Sequence, residues 1–234
     1  GMVRPAPGAL ATALAMRRSS GRVPSAIAAG SSDCLCLRAV PGLEVIEAPS
    51  LRALAARLLG EQEVDPGVDL SAPAFVALES SSDARAYKDM SDVKGQPEAK
   101  RALEIAAAGG HHVALLGRAG VGKTLLAERL PGILPNLDDE QALEVTSIHQ
   151  LSGRLDSAGT GLARCAPWFA PHHTASRAAM VGGGSDNRPS IGMVSLAHHG
   201  VLFLDEAAEF EPSVLDALRE PLESGSVTIA RAGF

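Results

Sequence analysis

The sequence predicts an α/β fold, a parallel sheet flanked by helices, and three observations carry that expectation. An apolar run, His112-Val113-Ala114-Leu115-Leu116, leads into a glycine-rich turn and then into a helical pattern from Leu125 to Leu130. A second apolar run, Val201-Leu202-Phe203-Leu204, ends abruptly in Asp205-Glu206, as expected of a parallel strand buried on both faces whose carboxyl end opens at the mouth of a sheet. Around these runs, helical patterns and turn formers alternate with short apolar stretches, the order of α/β architecture.

The elements follow in chain order. Residues 1–60 carry an apolar helical pattern over Ala9–Arg17 and another over Leu51–Leu59, flanking short runs such as Leu43-Glu44-Val45-Ile46, and read as a small α/β unit. Residues 61–88 are acidic and rich in turn formers (Asp65-Pro66-Gly67, Ser80-Ser81-Ser82-Asp83), which reads as a linker. From Asp89 the texture changes. Pro97 stands at a first helical position before Glu98–Ala108, followed by the apolar run 112–116, the glycine-rich turn, its helix, and an acidic helix start at Asp138-Asp139-Glu140. The distance from Lys123 to Asp205 is too long for one strand and helix, so an insertion is expected there. It holds Trp168-Phe169-Ala170-Pro171-His172-His173-Thr174-Ala175-Ser176, Gly182-Gly183-Gly184 and Ser195-Leu196-Ala197-His198-His199-Gly200.

Composition narrows the classes. With 234 residues, 46% hydrophobic and 21% charged, the chain is able to bury one large core or two small ones. A net charge of −6 argues against a wholly basic nucleic-acid coat, and 3% aromatic residues argue against a single-strand stacking platform. Charge is uneven: residues 1–60 hold seven Arg against three acids, so contact with a polyanion would be local. Cys34, Cys36 and Cys165 make an odd count without a Cys-x-x-Cys pair, which favours a reducing cytoplasm over a disulfide framework or a four-ligand zinc site. No membrane partner is expected, since no apolar stretch reaches the roughly 18 residues of a membrane helix and the Ala9–Met16 run lacks the flanks of a signal peptide. Gly1 before Met2 reads as a tag-cleavage scar.

The turn itself carries the chemistry. Gly117-Arg118-Ala119-Gly120-Val121-Gly122-Lys123-Thr124 fits Gly-x-x-x-x-Gly-Lys-[Ser/Thr] at every specified position. Glycines let the backbone curl into a nest of N–H donors around phosphates, Lys123 supplies a flexible charge to the outer phosphates, and Thr124 offers a hydroxyl to Mg²⁺. These residues are the expected ATP site. At the end of the second apolar run, Asp205 is the expected Mg²⁺ ligand and Glu206 the group that polarises a water for attack on the γ-phosphate. Lys123 and Glu206 are therefore the candidate catalytic residues. The pairs His172-His173 and His198-His199 are read as polar-network residues or nucleotide-side contacts in preference to zinc ligands, because adjacent side chains point apart in an extended strand and no carboxylate or cysteine stands at ligand spacing.

Several of these segments together carry a family resemblance. Asp92-Val93-Lys94-Gly95-Gln96, the phosphate loop, Pro171-His172-His173-Thr174-Ala175-Ser176, the glycine triplet and Ala197-His198-His199-Gly200 through Glu206 resemble the magnesium-chelatase-like AAA+ ATPases of the ComM (YifB) competence type. The likeness runs over most of 89–234. Arg118-Ala119 departs from the commoner Pro-Pro, at positions whose side chains carry no phosphate contact. The resemblance implies a P-loop AAA+ core over 89–234, with Val93 and Gly95 added to the nucleotide contacts. It also implies a hexameric homo-oligomer that couples ATP hydrolysis to DNA remodelling and branch migration.

The same resemblance makes residues 1–60 the tail of a Lon-protease-like domain. Residues 1–87 contain no lysine, and Thr12 stands where the protease lysine would align, so an interaction role is expected there in place of peptidase chemistry. Beyond Val227–Arg231 the resemblance implies a sensor strand, an arginine finger and a helical lid, all absent from this chain. Because that strand would lie between the runs 112–116 and 201–204, the two runs are expected to pair directly or to take a strand from another chain, with turnover reduced. Three other functions remain open: a magnesium-chelatase-type motor subunit, a nucleotide-binding module that does not hydrolyse ATP, and a purely interacting fragment.

Overall fold

The computed structural model describes residues 3, 4, 6, 8–18, 26–60, 88–154, 161–183 and 190–228. The linker reading of 61–88 falls almost wholly outside them, as do Gly184 of the triplet and Ile229–Arg231. In chain order the elements are α1 (Ala9–Arg18), β1 (Ala26–Ala29), α2 (Ser31–Arg38), β2 (Glu44–Glu47), α3 (Leu51–Leu59), α4 (Pro97–Gly109), α5 (Lys123–Ala127), α6 (Asp139–Leu151), β3 (Trp168–Phe169), α7 (Arg177–Val181), β4 (Gly182–Gly183), β5 (Ser190–Ile191), α8 (Met193–Leu196), β6 (Val201–Leu202) and α9 (Pro212–Ser224). The fold is mixed α/β with short sheets, two of them parallel. The chain divides into two compact units: Gly1–Asp83 with Ala142–Ala163, and Ala84–Gln141 with Arg164–Phe234.

In the first unit, β1 and β2 pair in parallel from Ala26 opposite Glu44 to Ala29 opposite Glu47, and α2 makes the crossover. One face of α2 is apolar. Cys34 and Leu37 pack with Ala13 and Ala29, while Cys36 and Val40 pack with Leu10 and Leu143. Burial has a chemical consequence for the thiols: removal from water, reinforced by the nearby Glu47 carboxylate, pushes Cys34 up to about 11, and burial raises Cys36 as well. Helix α3 starts where Ser50 accepts from the Ala53 N–H (3.1 Å) and stops at Gly60, whose φ of 74° suits a residue without Cβ.

In the second unit, α4 begins at Pro97, the expected first helical position, and buries Leu103 with Met90, Val93 and Leu126. The buried Arg129 pins this group. Its Nε donates to the Asp89 carbonyl (3.0 Å) and its Nη1 to the Leu125 carbonyl (2.9 Å), so the segment before α4 is fastened to α5. Asp89 caps the short turn at Met90–Asp92, and hydrogen bonds from Ser91 hold its carboxyl below the usual range. Asp138 and Gln141 cap each other reciprocally, Asp138 N–H to Gln141 Oε1 at 3.1 Å and Gln141 N–H to Asp138 Oδ1 at 2.9 Å, which explains the acidic start of α6. A further core joins Met180 of α7, Phe210, and Val214 and Leu218 of α9.

The expected strand over 112–116 is not formed. Among the described residues it pairs with nothing, and neither direct pairing with 201–204 nor any other strand covers it. Its apolar side chains stand in solvent: Leu116 is 95% and Val113 42% exposed. Within the run 201–204 Val201–Leu202 forms a strand, β6; the run is half-buried rather than enclosed on both faces, and the partner of β6 is β3.

Candidate functional site

Two loops are brought side by side by the pairing of β3 with β6. The Val201 N–H donates to the Pro167 carbonyl and the Phe203 N–H to the Phe169 carbonyl, both at 2.8 Å, and Trp168 stacks on Phe203 with ring centroids 5.4 Å apart. Gly200 makes the close approach possible, since a Cβ there would lie 2.1 Å from the Pro167 oxygen. The strands therefore deliver Pro171–Ser176 and Asp205–Glu209 to the same end of this small sheet.

The phosphate loop meets the second of these. Thr124 Oγ1 donates to Asp205 Oδ2 at 2.9 Å, so the two residues assigned to Mg²⁺ from sequence stand in contact although they lie far apart in the chain. Asp205 is also held from behind, its Oδ1 accepting from the Glu206 N–H at 3.1 Å. Gly120 and Gly122 adopt φ of 78° and 89°, the left-handed values a phosphate nest requires. Lys123 Nζ donates to the carbonyls of Gly117 (2.9 Å) and Arg118 (3.0 Å), crossing the loop it belongs to. Arg118, Ala119 and Val121 are exposed along the rim. This arrangement fits MgATP: a glycine-lined loop, an ammonium folded over its mouth, and an adjoining hydroxyl–carboxylate pair whose oxygens are the ligand type a hard cation takes.

Glu206 is exposed and adopts φ 50° and ψ 48°, a left-handed conformation that costs a non-glycine residue roughly 1–3 kcal/mol and recurs at functional sites. The other two nucleotide candidates are placed differently. Val93 is buried, with its side chain in the core beside Leu103 and its carbonyl accepting from Lys100 Nζ, whereas Gly95 is exposed at φ 69° with open space around its Cα.

Sequence reasoning gave no role to two residues here, Gln96 and Glu209. Gln96, also left-handed at φ 54°, donates from Nε2 to the Val121 carbonyl at 3.0 Å and packs on Gly122, so it buttresses the loop from the α4 side. The reading of the histidine pairs also needs correction. His172 and His173 lie in a turn rather than an extended strand, and their rings are 4.0 Å apart; the His198 and His199 rings are likewise 4.0 Å apart. His173 further faces carboxylates that no sequence spacing brought near: one ligand atom each from His173, Glu206 and Glu209 lie within 4.8 Å of one another. Glu209 carried one weak signal, its place three residues after Glu206.

Comparison with known proteins places the chain. The family model described as magnesium chelatase, subunit ChlI, matches residues 89–234. The chain is 43% identical over 232 residues to the uncharacterized protein Rv2897c of Mycobacterium tuberculosis and 41% identical over 231 residues to the uncharacterized protein YifB of Escherichia coli. Each match covers 99% of this chain but only 43% and 42% of the relative, so the chain spans less than half their length. The competence protein ComM of Haemophilus influenzae is 52% identical over 144 residues, 62% of this chain and 28% of ComM. On a family match over the whole phosphate-loop region, together with these relatives, the chain belongs to the magnesium chelatase subunit ChlI family and is ComM/YifB-like within it.

Proposed function

We propose that residues 89–234 are an AAA+ core that binds ATP on the loop Gly117–Thr124 and hydrolyses it, as part of a homo-oligomeric motor that remodels DNA in the cytoplasm. The observation that carries this reading is the 2.9 Å contact between Thr124 Oγ1 and Asp205 Oδ2, which joins the phosphate loop to the carboxylate strand. Mg²⁺ held there would neutralise charge developing on the phosphate oxygens. Lys123 exchanges its two loop carbonyls for the outer phosphates, a charge-assisted contact roughly twice as strong as a neutral hydrogen bond. Glu206 takes a proton from water as the water oxygen bonds to the γ-phosphorus, and the bond to the bridging oxygen breaks to release ADP and phosphate. Gln96 supports the loop through the Val121 carbonyl, Gly95 turns the chain just before Gln96, and Val93 anchors that support in the core.

The DNA assignment rests on the resemblance to the ComM type and on the name competence protein that one relative bears. Residues 1–60, as a partial Lon-protease-like domain, would serve interaction, with 61–88 as its linker to the core. A second reading has one observation behind it: the run leading into the loop is unpaired and Leu116 beside Gly117 is 95% exposed, as suits a unit that binds ATP but turns it over slowly. Measuring ATP affinity and turnover of this chain, with and without branched DNA, separates these. DNA-stimulated turnover supports the motor, binding without turnover the second reading, and absence of ATP binding contradicts both.

A further inference from the structure

We propose that His173, Glu206 and Glu209 form a site for a zinc-class divalent ion, separate from the Thr124–Asp205 pair. The placement follows from the fold. Parallel pairing of β3 with β6 sets the turn containing His173 beside the turn that follows Asp205. That second turn is a 3₁₀ segment, Ala207–Glu209, closed by a 2.8 Å hydrogen bond from the Glu209 N–H to the Glu206 carbonyl. Glu206 precedes this segment with a left-handed backbone and Glu209 closes it, and their carboxylates meet the His173 ring on one side of the turn. His173 Nδ1 stands 3.9 Å from Glu209 Oε2, and all three residues offer a ligand atom within 4.8 Å of one another.

The chemistry selects the ion. One imidazole and two carboxylates suit zinc or its neighbours better than Mg²⁺, which takes oxygen ligands and keeps several waters. A tetrahedral zinc with bonds of about 2.0–2.1 Å holds its donors roughly 3.3 Å apart, so the three groups must draw in by about an ångström. Exposed glutamate side chains do this by torsion alone, and a fourth position stays open to water. An ion bound there takes the Glu206 carboxylate as ligand. Given the role proposed above for Glu206, zinc would then stop ATP hydrolysis without blocking ATP binding; the binding itself depends on no nucleotide.

Cobalt titration of the whole 234-residue chain, without nucleotide, tests the site. A visible d–d band that Zn²⁺ abolishes is expected, with His173→Ala and Glu209→Gln each weakening binding about tenfold or more while far-ultraviolet circular dichroism stays unchanged. Lys123→Ala should keep the band although it loses ATP, so failure of the nucleotide reading would leave this result intact. A missing band, a band unaffected in the His173→Ala/Glu209→Gln double variant, a band lost in Lys123→Ala, or the intense thiolate charge-transfer absorption that ligation by the exposed Cys165 would give, each overturns the assignment.

Discussion

Two apolar runs of similar composition flank the candidate site and meet opposite fates. The run 201–204 contains β6 (Val201–Leu202), which pairs with β3, and lends Leu202 and Leu204 to the core of Met180, Phe210, Val214 and Leu218, whereas 112–116 forms no strand and leaves Leu116 in solvent. The difference is a partner. Strand propensity is mostly the fit of side chains to a neighbouring strand and a packed face, and a run without either gains nothing from being apolar. The carboxylates of the site are accordingly set by a paired strand, while the phosphate loop is held from its far side, by Gln96 and by the fastening of α5 through Arg129.

The largest expected effect lies under the paired run. Gly200→Ala forces a Cβ against the Pro167 backbone and is expected to destabilise the protein by about 3 kcal/mol in urea unfolding, whereas Gly117→Ala meets only the tip of Val121 at 3.0 Å and should cost less than about 1 kcal/mol. Equal costs would show that 112–116 is packed after all. Truncation of the runs themselves gives a smaller contrast: Leu202→Ala is expected to cost about 2 kcal/mol, and Leu116→Ala, in solvent, less than about 0.5. A large loss at Leu116 in the same unfolding assay would mean that the run is covered in solution.

Gln96→Ala removes one hydrogen bond to the loop, and a loss of about 1 kcal/mol corresponds to roughly fivefold weaker ATP binding, with stability little changed. Unaltered affinity would reduce Gln96 to a turn residue. The thiols report on packing in the first unit. At pH 8–9 an alkylating reagent should modify the exposed Cys165 well before Cys34, whose thiol burial pushes up to about 11. Because the folded value lies above the ordinary 9.0, the stability this thiol contributes is complete below pH 9 and lost as pH rises through about 11.

The glycine-rich turn at 117–124 was legible from its residues, because left-handed positions favour glycine and Gly120 and Gly122 occupy them. Helices were legible where a local device or an apolar period marks them, such as Pro97 at the start of α4 or the pattern over Leu51–Leu59 that forms α3. Contacts set by pairing were not. The turn at His172-His173 was read as extended strand, and its nearness to Glu209 depends on the register of β3 with β6, which no local pattern encodes. The unpaired state of 112–116 was hidden for the same reason, since an apolar run specifies that it would accept a neighbour and is silent on which neighbour is present.

The claim that the loop Gly117–Thr124 is an ATP site is tested most directly by titrating this chain and its Lys123→Ala variant with a fluorescent ATP analogue in Mg²⁺. Among the described residues the Lys123 ammonium is held by two loop carbonyls, so its removal leaves the fold in place while withdrawing the charge that balances the outer phosphates. Saturable binding by the wild-type chain that is abolished in Lys123→Ala is the expected result, with circular dichroism of the two chains superimposable. Equal affinity of the two chains, or no binding by either, would contradict it.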